Sequence, residues 1–411
     1  MAHQSAICGI DIGNTAVKVA IASVSSNTQP EIIGAASVPS LAVRSGEIVD
    51  IQEIVECIRD AIGQASAMAG VQVKRAFVAA NGPHIETRMS RGTIAVARAD
   101  GEITAGDISR VMQTAQVVSL PPNREILHVI PREFIIDTTE RVRDPVGMKG
   151  MRLEVDVVIV HGASRPLKNI ARCVQDCGVG VAGFVYGPLA SSLVALDRHQ
   201  KEFGVAHLDV GGGTASLTVW DQADLIHAAV MKVGSRHITN DLAILLRTSL
   251  ENAERIKIEL GSVNEAIDRR RKIDTIDLTS YMDEPFIATR RQLLHVIDAR
   301  ARELLDLVVD ELKKAGKHGQ LPAGVILSGG GSKLPGFVSL VRDTLGLPVR
   351  QAKPIGVTAF DAAHDPAYSV ALGLVAWGFL QDKTERIHSP VFSGGQEAVG
   401  SVIRWLKNFL P

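Results

Sequence analysis

Residues 205–221, VAHLDVGGGTASLTVWD, decide the fold. An apolar strand runs into Asp209. Three glycines and Thr214 then turn the chain into a second β-rich strand, the pattern of a hairpin with a glycine turn. Residues 7–24, ICGIDIGNTAVKVAIASV, repeat that grammar around Asp11 and Gly13. Two copies of one unusual hairpin predict two related halves, an internal duplication at domain scale.

The hairpins carry a specific chemistry. Gly13, Gly211, Gly212 and Gly213 admit backbone conformations closed to other residues. Consecutive N–H groups can then face a phosphate, with Thr15 and Thr214 adding hydroxyl donors. Asp11 and Asp209 fall beside such phosphates, where Mg²⁺ takes carboxylates, often through its own water shell. Either hairpin alone reads more readily as a plain turn; the pair is far more specific. A third element is AGVILSGGGSKLPGF (323–337). It is no Walker A loop, because no Ser or Thr follows Lys333. A strand ending in Gly329, Gly330 and Gly331 leaves bare backbone on which a flat adenosine can lie.

Composition narrows the class. The chain has 411 residues, 46% hydrophobic and 22% charged, enough for more than one core. A formal net charge of -1 and 4% aromatic residues argue against nucleic acid as a partner. Cys8, Cys57, Cys173 and Cys177 form no CxxC pair and read as reduced, buried thiols, so the expected compartment is the cytosol. Asp11 interrupts the first apolar stretch too early for a signal peptide. Residues 368–380 are too short for a membrane span.

DIGNT, LDVGGGT and ILSGGGSKLPG, in this order, resemble the phosphate loops and adenosine motif of the actin, Hsp70 and sugar-kinase superfamily. LHVIPREFIIDTTERVRDPVGMKGMRLEVDVVIV (127–160) narrows the resemblance to the FtsA family of bacterial cell-division proteins. KRAFVAANGPHI (74–85), GSRHITNDLA (234–243) and AERIKIELG (253–261) are similar to that family too. The resemblance implies an α/β, actin-like fold: duplicated RNase H-like domains around a nucleotide cleft, an FtsA-type 1C insert and a C-terminal amphipathic helix. The expected divisions are 1A (1–83 and 162–200), 1C (84–161), 2A (203–236 and 322–357) and 2B (237–321). A connecting helix region (358–380), a linker (381–397) and a terminal helix (398–411) follow.

Within 1C, residues 105–118 read as a helix with Ile108, Val111, Met112, Ala115 and Val118 on one side. A long helix is expected from about 290 to Gly316. YGPLASSLVAL (186–196) and YSVALGLVAWG (368–378) resemble the helices that cross between the halves. Ala190, Ser191, Ala371 and Gly373 there permit close approach.

The resemblance also implies a site for ATP and Mg²⁺. It comprises Asp11, Gly13, Asn14, Thr15, Lys18, Asp209, Gly211, Gly212, Gly213, Thr214, Gly234, Glu254, Lys257, Gly329, Gly330, Gly331 and Ser332, with Asp11 and Asp209 reaching the metal through water. Glu254 and Lys257, on one helix face, would flank adenine and ribose. Two departures from the family pattern stand out. Ala16 occupies the place of a frequent lysine, and Lys18, on the same strand face, can substitute. The start of the first crossing helix reads VYGPLA, with no amide or carboxylate to orient a water. Tight binding with slow hydrolysis is the expectation.

The chain ends in GSVIRWLKNFLP. From Val399 the apolar residues, among them Val402, Ile403, Trp405, Leu406, Phe409 and Leu410, cover an arc of about 160° on a helical wheel. Arg404 and Lys407 lie outside it, which suits an anionic membrane surface. One short helix binds weakly, so anchoring is expected to need many copies on a polymer. The resemblance supplies the partners: the C-terminal peptide of FtsZ, held on 2B near Asn240 and Arg300; other copies of the chain; and later division proteins through 1C. The expected location is the cytoplasmic face of the inner membrane at the division site. A membrane-associated scaffold of pilus assembly and a soluble sugar- or acetate-kinase-like phosphotransferase are the competing readings.

Overall fold

The computed structural model describes residues 5–24, 29–263, 275–281 and 287–386. β1 (Ser5–Ile12), β2 (Ala16–Val24) and β3 (Glu31–Pro39) form an antiparallel meander. A short hairpin of β4 (Val43–Arg44) and β5 (Glu47–Ile48) leads to α1 (Ile51–Ala69). The Asp50 carboxylate caps α1 by accepting from the Glu53 N–H, and Gly70 ends it in the left-handed region (φ 66°). β6 (Arg75–Ala80) then returns parallel to β1.

The chain next leaves this layer. β7 (Glu86–Ala95), α2 (Ala105–Gln116), β8 (Arg124–Ile136), β9 (Glu140–Val142) and β10 (Arg152–Ala163) build a separate sheet in the order β7-β10-β8-β9. Ile108, Val111, Met112 and Ala115 of α2 pack on it; Val118 lies beyond the end of the helix. α3 (Ser164–Asp176) and β11 (Gly180–Tyr186) complete the first sheet, β11-β6-β1-β2-β3. α4 (Gly187–Ala195) and α5 (Arg198–Phe203) lead to the second half.

There the plan repeats. β12 (Val205–Val210), β13 (Ala215–Asp221) and β14 (Asp224–Met231) form a second meander. A helical excursion follows: α6 (Ser235–Leu246), α7 (Leu250–Leu260), the small strands β15 (Thr275–Asp277) and β16 (Ile287–Thr289), and α8 (Arg290–Lys314). α8 ends beside Gly316, which is left-handed at φ 67°. β17 (Val325–Ser328), α9 (Phe337–Leu345) and β18 (Val349–Gln351) complete the sheet β14-β13-β12-β17-β18, with β17 parallel to β12 and β18 parallel to β17. Both sheets are therefore a three-stranded meander extended by two parallel strands.

α10 (Ser369–Arg386) runs back between the halves and continues into the stretch read as a linker. It crosses α4 closely: a Cβ on Gly373 would sit 2.0 Å from the Ala190 carbonyl oxygen. The insert touches the second half. Ile85, Ile130, Val158 and Val160 share an apolar cluster with Leu225 and Ala228 of β14, and the Thr87 hydroxyl donates to the Ala228 carbonyl at 3.2 Å. Among the described residues no helix is long and apolar enough to cross a membrane. The tail 398–411 lies outside the described residues.

Candidate functional site

The two hairpins are built to one register. Ile12 pairs with Val17 and Val210 with Ala215, so residues 13–16 and 211–214 are equivalent loops. The Gly13 N–H donates to the Ala16 carbonyl at 3.1 Å, and the Gly211 N–H to the Thr214 carbonyl at 2.9 Å. By this register Thr214 matches Ala16, not Thr15. Asp11 lies across from Lys18, and Asp209 across from Ser216.

The loops meet tip to tip. A Cβ on Gly212 would lie 2.3 Å from Thr15 Cγ2, and one on Gly213 would lie 2.0 Å from Asn14 Nδ2. Asn14 is fixed further by the Gly46 N–H, which donates to its Oδ1 at 3.2 Å, and by Arg236, whose Nη1 donates to its carbonyl at 3.2 Å. Side chains on the first loop thus fill spaces left by glycines on the second.

Around these loops is a cavity of ≈ 500 Å³, well within the range of small-molecule sites. Its walls include Asp11, Gly13, Asn14, Thr15, Lys18, Asp209, Gly211, Gly212, Thr214, Glu254, Lys257, Gly329, Gly330 and Gly331. Of the three glycines after β17, only Gly330 has room for a side chain, a Cβ there meeting nothing nearer than Ala367 Cβ at 3.9 Å. A Cβ on Gly329 would meet the Val210 carbonyl at 2.4 Å, and one on Gly331 would meet Val210 Cγ1 at 2.5 Å. Gly213, Gly234 and Ser332 fall outside the lining. Gly213 covers Asn14. Gly234 backs the second loop, within 2.5 Å of the Gly212 oxygen for a Cβ placed there, and the next residue, Ser235, lines the cavity in its stead. Ser332 is buried and turns its hydroxyl to the Gly329 carbonyl.

Lys257 is buried, and Nζ donates to Glu254 Oε2 at 2.7 Å, Thr239 Oγ1 at 3.0 Å and the Ser235 carbonyl at 3.3 Å. Burial lowers its pKa, while Glu254 opposes that fall. The pair is part of the cavity wall rather than a solvated surface bridge.

Asp11 and Asp209 stand at the carboxyl ends of β1 and β12, where ligands gather in open sheets. Burial pushes the Asp11 carboxyl up, against Lys18 and an Asn81 hydrogen bond. Burial likewise pushes Asp209 up to about 6. Among the described residues neither carboxylate has a cationic side chain in ion-pair contact, and no cluster of three or more metal-ligating side chains exists. A buried carboxylate and a half-buried one, neither ion-paired, fit Mg²⁺, which uses one or two carboxylates and completes its shell with water and phosphate.

Sequence reading missed the two groups that hold the floor carboxylates. Asn81, just past β6, donates from Nδ2 to Asp11 Oδ1 at 2.9 Å. Its Oδ1 occupies the space over Gly187, 1.8 Å from where a Cβ would be. The expectation that no amide stands at the start of α4 is therefore corrected: the amide arrives from a distant segment. Ser328, the last residue of β17, donates to Asp209 Oδ2 at 2.8 Å. The available signal was a polar residue ending an apolar strand parallel to one ending in Asp.

Asn240 is exposed on α6. Arg300 of α8 is already forked onto Asp241, at 2.7 and 3.1 Å, and also pairs with Glu303 at 2.5 Å. Its guanidinium is held by its own chain.

Solved structures share this architecture. A type IV pilus biogenesis complex, PilM–PilN, aligns at a TM-score of 0.64 with 18% identity, over 91% of this chain and 98% of that one. MreB5 of Spiroplasma citri bound to ADP aligns at 0.54 with 13% identity, over 93% and 99%. These identities establish an actin-like fold and nothing narrower. Sequence relatives go further. Cell division protein FtsA of Pseudomonas aeruginosa is 36% identical over 92% of this chain and 90% of its own length. That of Bacillus subtilis is 36% identical over 91% and 84%, and that of Escherichia coli K12 is 32% identical over 90% of each. Family models described as "SHS2 domain inserted in FTSA" and "Cell division protein FtsA" match residues 82–161 and 206–373. With its duplicated actin-like halves and its inserted sheet, the chain belongs to the FtsA family of bacterial cell-division proteins.

Proposed function

We propose that the chain binds ATP·Mg²⁺ between its halves and uses it as a conformational ligand in assembling a membrane-attached division scaffold. The observation that carries this reading is the meeting of the two loops, Thr15 against Gly212 and Asn14 against Gly213, beside a ≈ 500 Å³ cavity floored by Asp11 and Asp209. A ligand touching both loops favours the closed arrangement by its differential affinity for it. MreB5 structures with ADP and AMPPNP lend support from the same fold.

In this reading Gly13, Asn14, Thr15, Lys18, Gly211, Gly212 and Thr214 receive the phosphates. Glu254 and Lys257 flank adenine and ribose, and the backbone at Gly330 supports the base. Gly213, Gly234 and Ser332 act indirectly by shaping those walls. Mg²⁺, held by Asp11 and Asp209 through water, supplies charge neutralisation for the phosphate chain. Hydrolysis is slow in this reading, because α4 begins Gly187-Pro188-Leu189 with no carboxylate or amide of its own to orient a water, and the Asn81 amide nitrogen that reaches it is tied to Asp11.

The wider role follows the family. Residues 237–321 hold the C-terminal peptide of FtsZ near Asn240, with Arg300 exchanging its internal partners for the peptide's acidic group. Copies polymerise, residues 84–161 meet later division proteins, and the tail, through Val402, Ile403, Arg404, Trp405, Leu406, Lys407, Phe409 and Leu410, lies on the anionic inner face of the membrane. The division into 1A, 1C, 2A, 2B, linker and tail is part of this proposal. Co-sedimentation with anionic liposomes tests it, comparing the full chain with one ending at Glu397, with and without ATP·Mg²⁺. Pelleting of the full chain alone, in an ATP-dependent amount, is expected. If both chains stay in solution, the anchor and the scaffold reading fall together.

A further inference from the structure

Each carboxylate on the cavity floor is gripped on one oxygen by a donor from the adjacent parallel strand's end. Asn81 takes Asp11 Oδ1, and Ser328 takes Asp209 Oδ2. In the second half the grip has a further layer. His207 Nε2 lies 2.7 Å from Ser328 Oγ. Ser328 is fully buried and His207 is 1% exposed. Because the serine hydroxyl donates to Asp209, its oxygen is left to accept, so His207 carries its proton on Nε2. The chain of donors runs His207 to Ser328 to Asp209, from the buried interior to the cavity wall.

The opposite oxygens are kept clear. Among the described residues no hydrogen bond reaches Asp209 Oδ1 or Asp11 Oδ2. At Asp209 the clearance has a sequence cause: a Cβ on Gly329 would stand 2.7 Å from Oδ1. A carboxylate with one oxygen pinned and the other open is oriented, and orientation of a ligand by such outer partners sets metal affinity.

Resting on the ATP·Mg²⁺ reading above, we propose that Ser328, backed by His207, is a positioning residue that aims Asp209 at the hydrated metal, and that Asn81 does the same for Asp11. The proposal separates metal affinity from nucleotide affinity, because none of these three side chains needs to touch the base or sugar.

The test titrates the full chain with a fluorescent ATP analogue, in EDTA and then in rising MgCl₂. Four chains are compared: unaltered, Ser328→Ala, Ser328→Ala with His207→Leu, and Asn81→Ala. The double variant matters because Ser328→Ala alone leaves a buried imidazole N–H without an acceptor, whereas removing both partners is better tolerated. Thermal unfolding without nucleotide checks that it has recovered its fold. All three variants are expected to need about tenfold more MgCl₂ for half-maximal tightening, with affinity in EDTA within about twofold of the unaltered chain. Recovery of the normal MgCl₂ midpoint by the double variant would overturn the proposal, since stability alone would then explain the single one. A loss of equal size in EDTA would overturn it too, making Ser328 a packing residue. Absence of any Mg²⁺-dependent binding by the unaltered chain would instead sink the nucleotide reading, and this inference with it.

Discussion

The two halves share one sheet plan but divide the work at their loops. At equivalent positions the first loop has Asn14 and Thr15 where the second has Gly212 and Gly213. Each side chain of the first loop enters the space of a glycine on the second. Two loops bearing side chains at both positions would collide, and two bare loops would leave a gap. A duplicated fold can therefore close over one cavity only after its copies have diverged at the point of contact. The inserts diverge as well: one half carries a sheet between β6 and α3, the other a helical excursion between β14 and β17.

The largest effect is expected where the halves share a helix crossing. Gly373→Leu forces a side chain into the Ala190 carbonyl, and a loss of roughly 3 kcal/mol or more is expected in urea unfolding, or no folded product at all. Normal stability in that variant would mean that α4 and α10 can separate without cost.

The loop contact comes next. Gly212→Ala should weaken binding of ATP·Mg²⁺ about tenfold, equivalent to ~1.4 kcal/mol, because its Cβ meets Thr15. Adding Thr15→Ser removes the nearest methyl and should recover part of that loss in the same titration. No recovery would break the account of interlocking loops. Gly13→Ala and Gly211→Ala offer a control. Their added Cβ atoms would lie 2.9 Å and 3.0 Å from the oxygens of Ala16 and Thr214. Calorimetry should find their Tm shifts alike, differing by less than the equivalent of about 0.5 kcal/mol.

The smallest effect belongs to the seam between the insert and β14. Burial raises the Asp224 carboxyl to about 6 from an ordinary 3.8, although Arg143 and Arg132 pull it down. The folded chain thus holds this proton more tightly than the unfolded one. Its contribution to stability is full at pH values below about 4 and is lost as the pH rises through about 6. Asp224→Asn should therefore raise Tm at pH 7.5, with the gain shrinking as the pH is lowered toward 5. A gain independent of pH would show that the residue acts through packing.

The sequence by itself determined a good deal. Repeated strand–Asp–Gly hairpins announced the duplication, because one glycine turn between alternating strands is commonplace and two of the same grammar are not. The glycines after β17, the small residues of the crossing helices and the Glu254–Lys257 pair were legible for similar local reasons. What only the tertiary structure decided is how separate segments converge. Asn81 and Gly187 are far apart in the chain, and no local pattern says that one fills the other's missing side chain. His207 and Ser328 become a relay only because β12 and β17 lie side by side in register. Arg300 looked like an open cation until the fold placed Asp241 against it. Local geometry follows from a few neighbouring residues and can be read from their types. Pairings across strands depend on the register of the whole sheet, which only the packed core fixes.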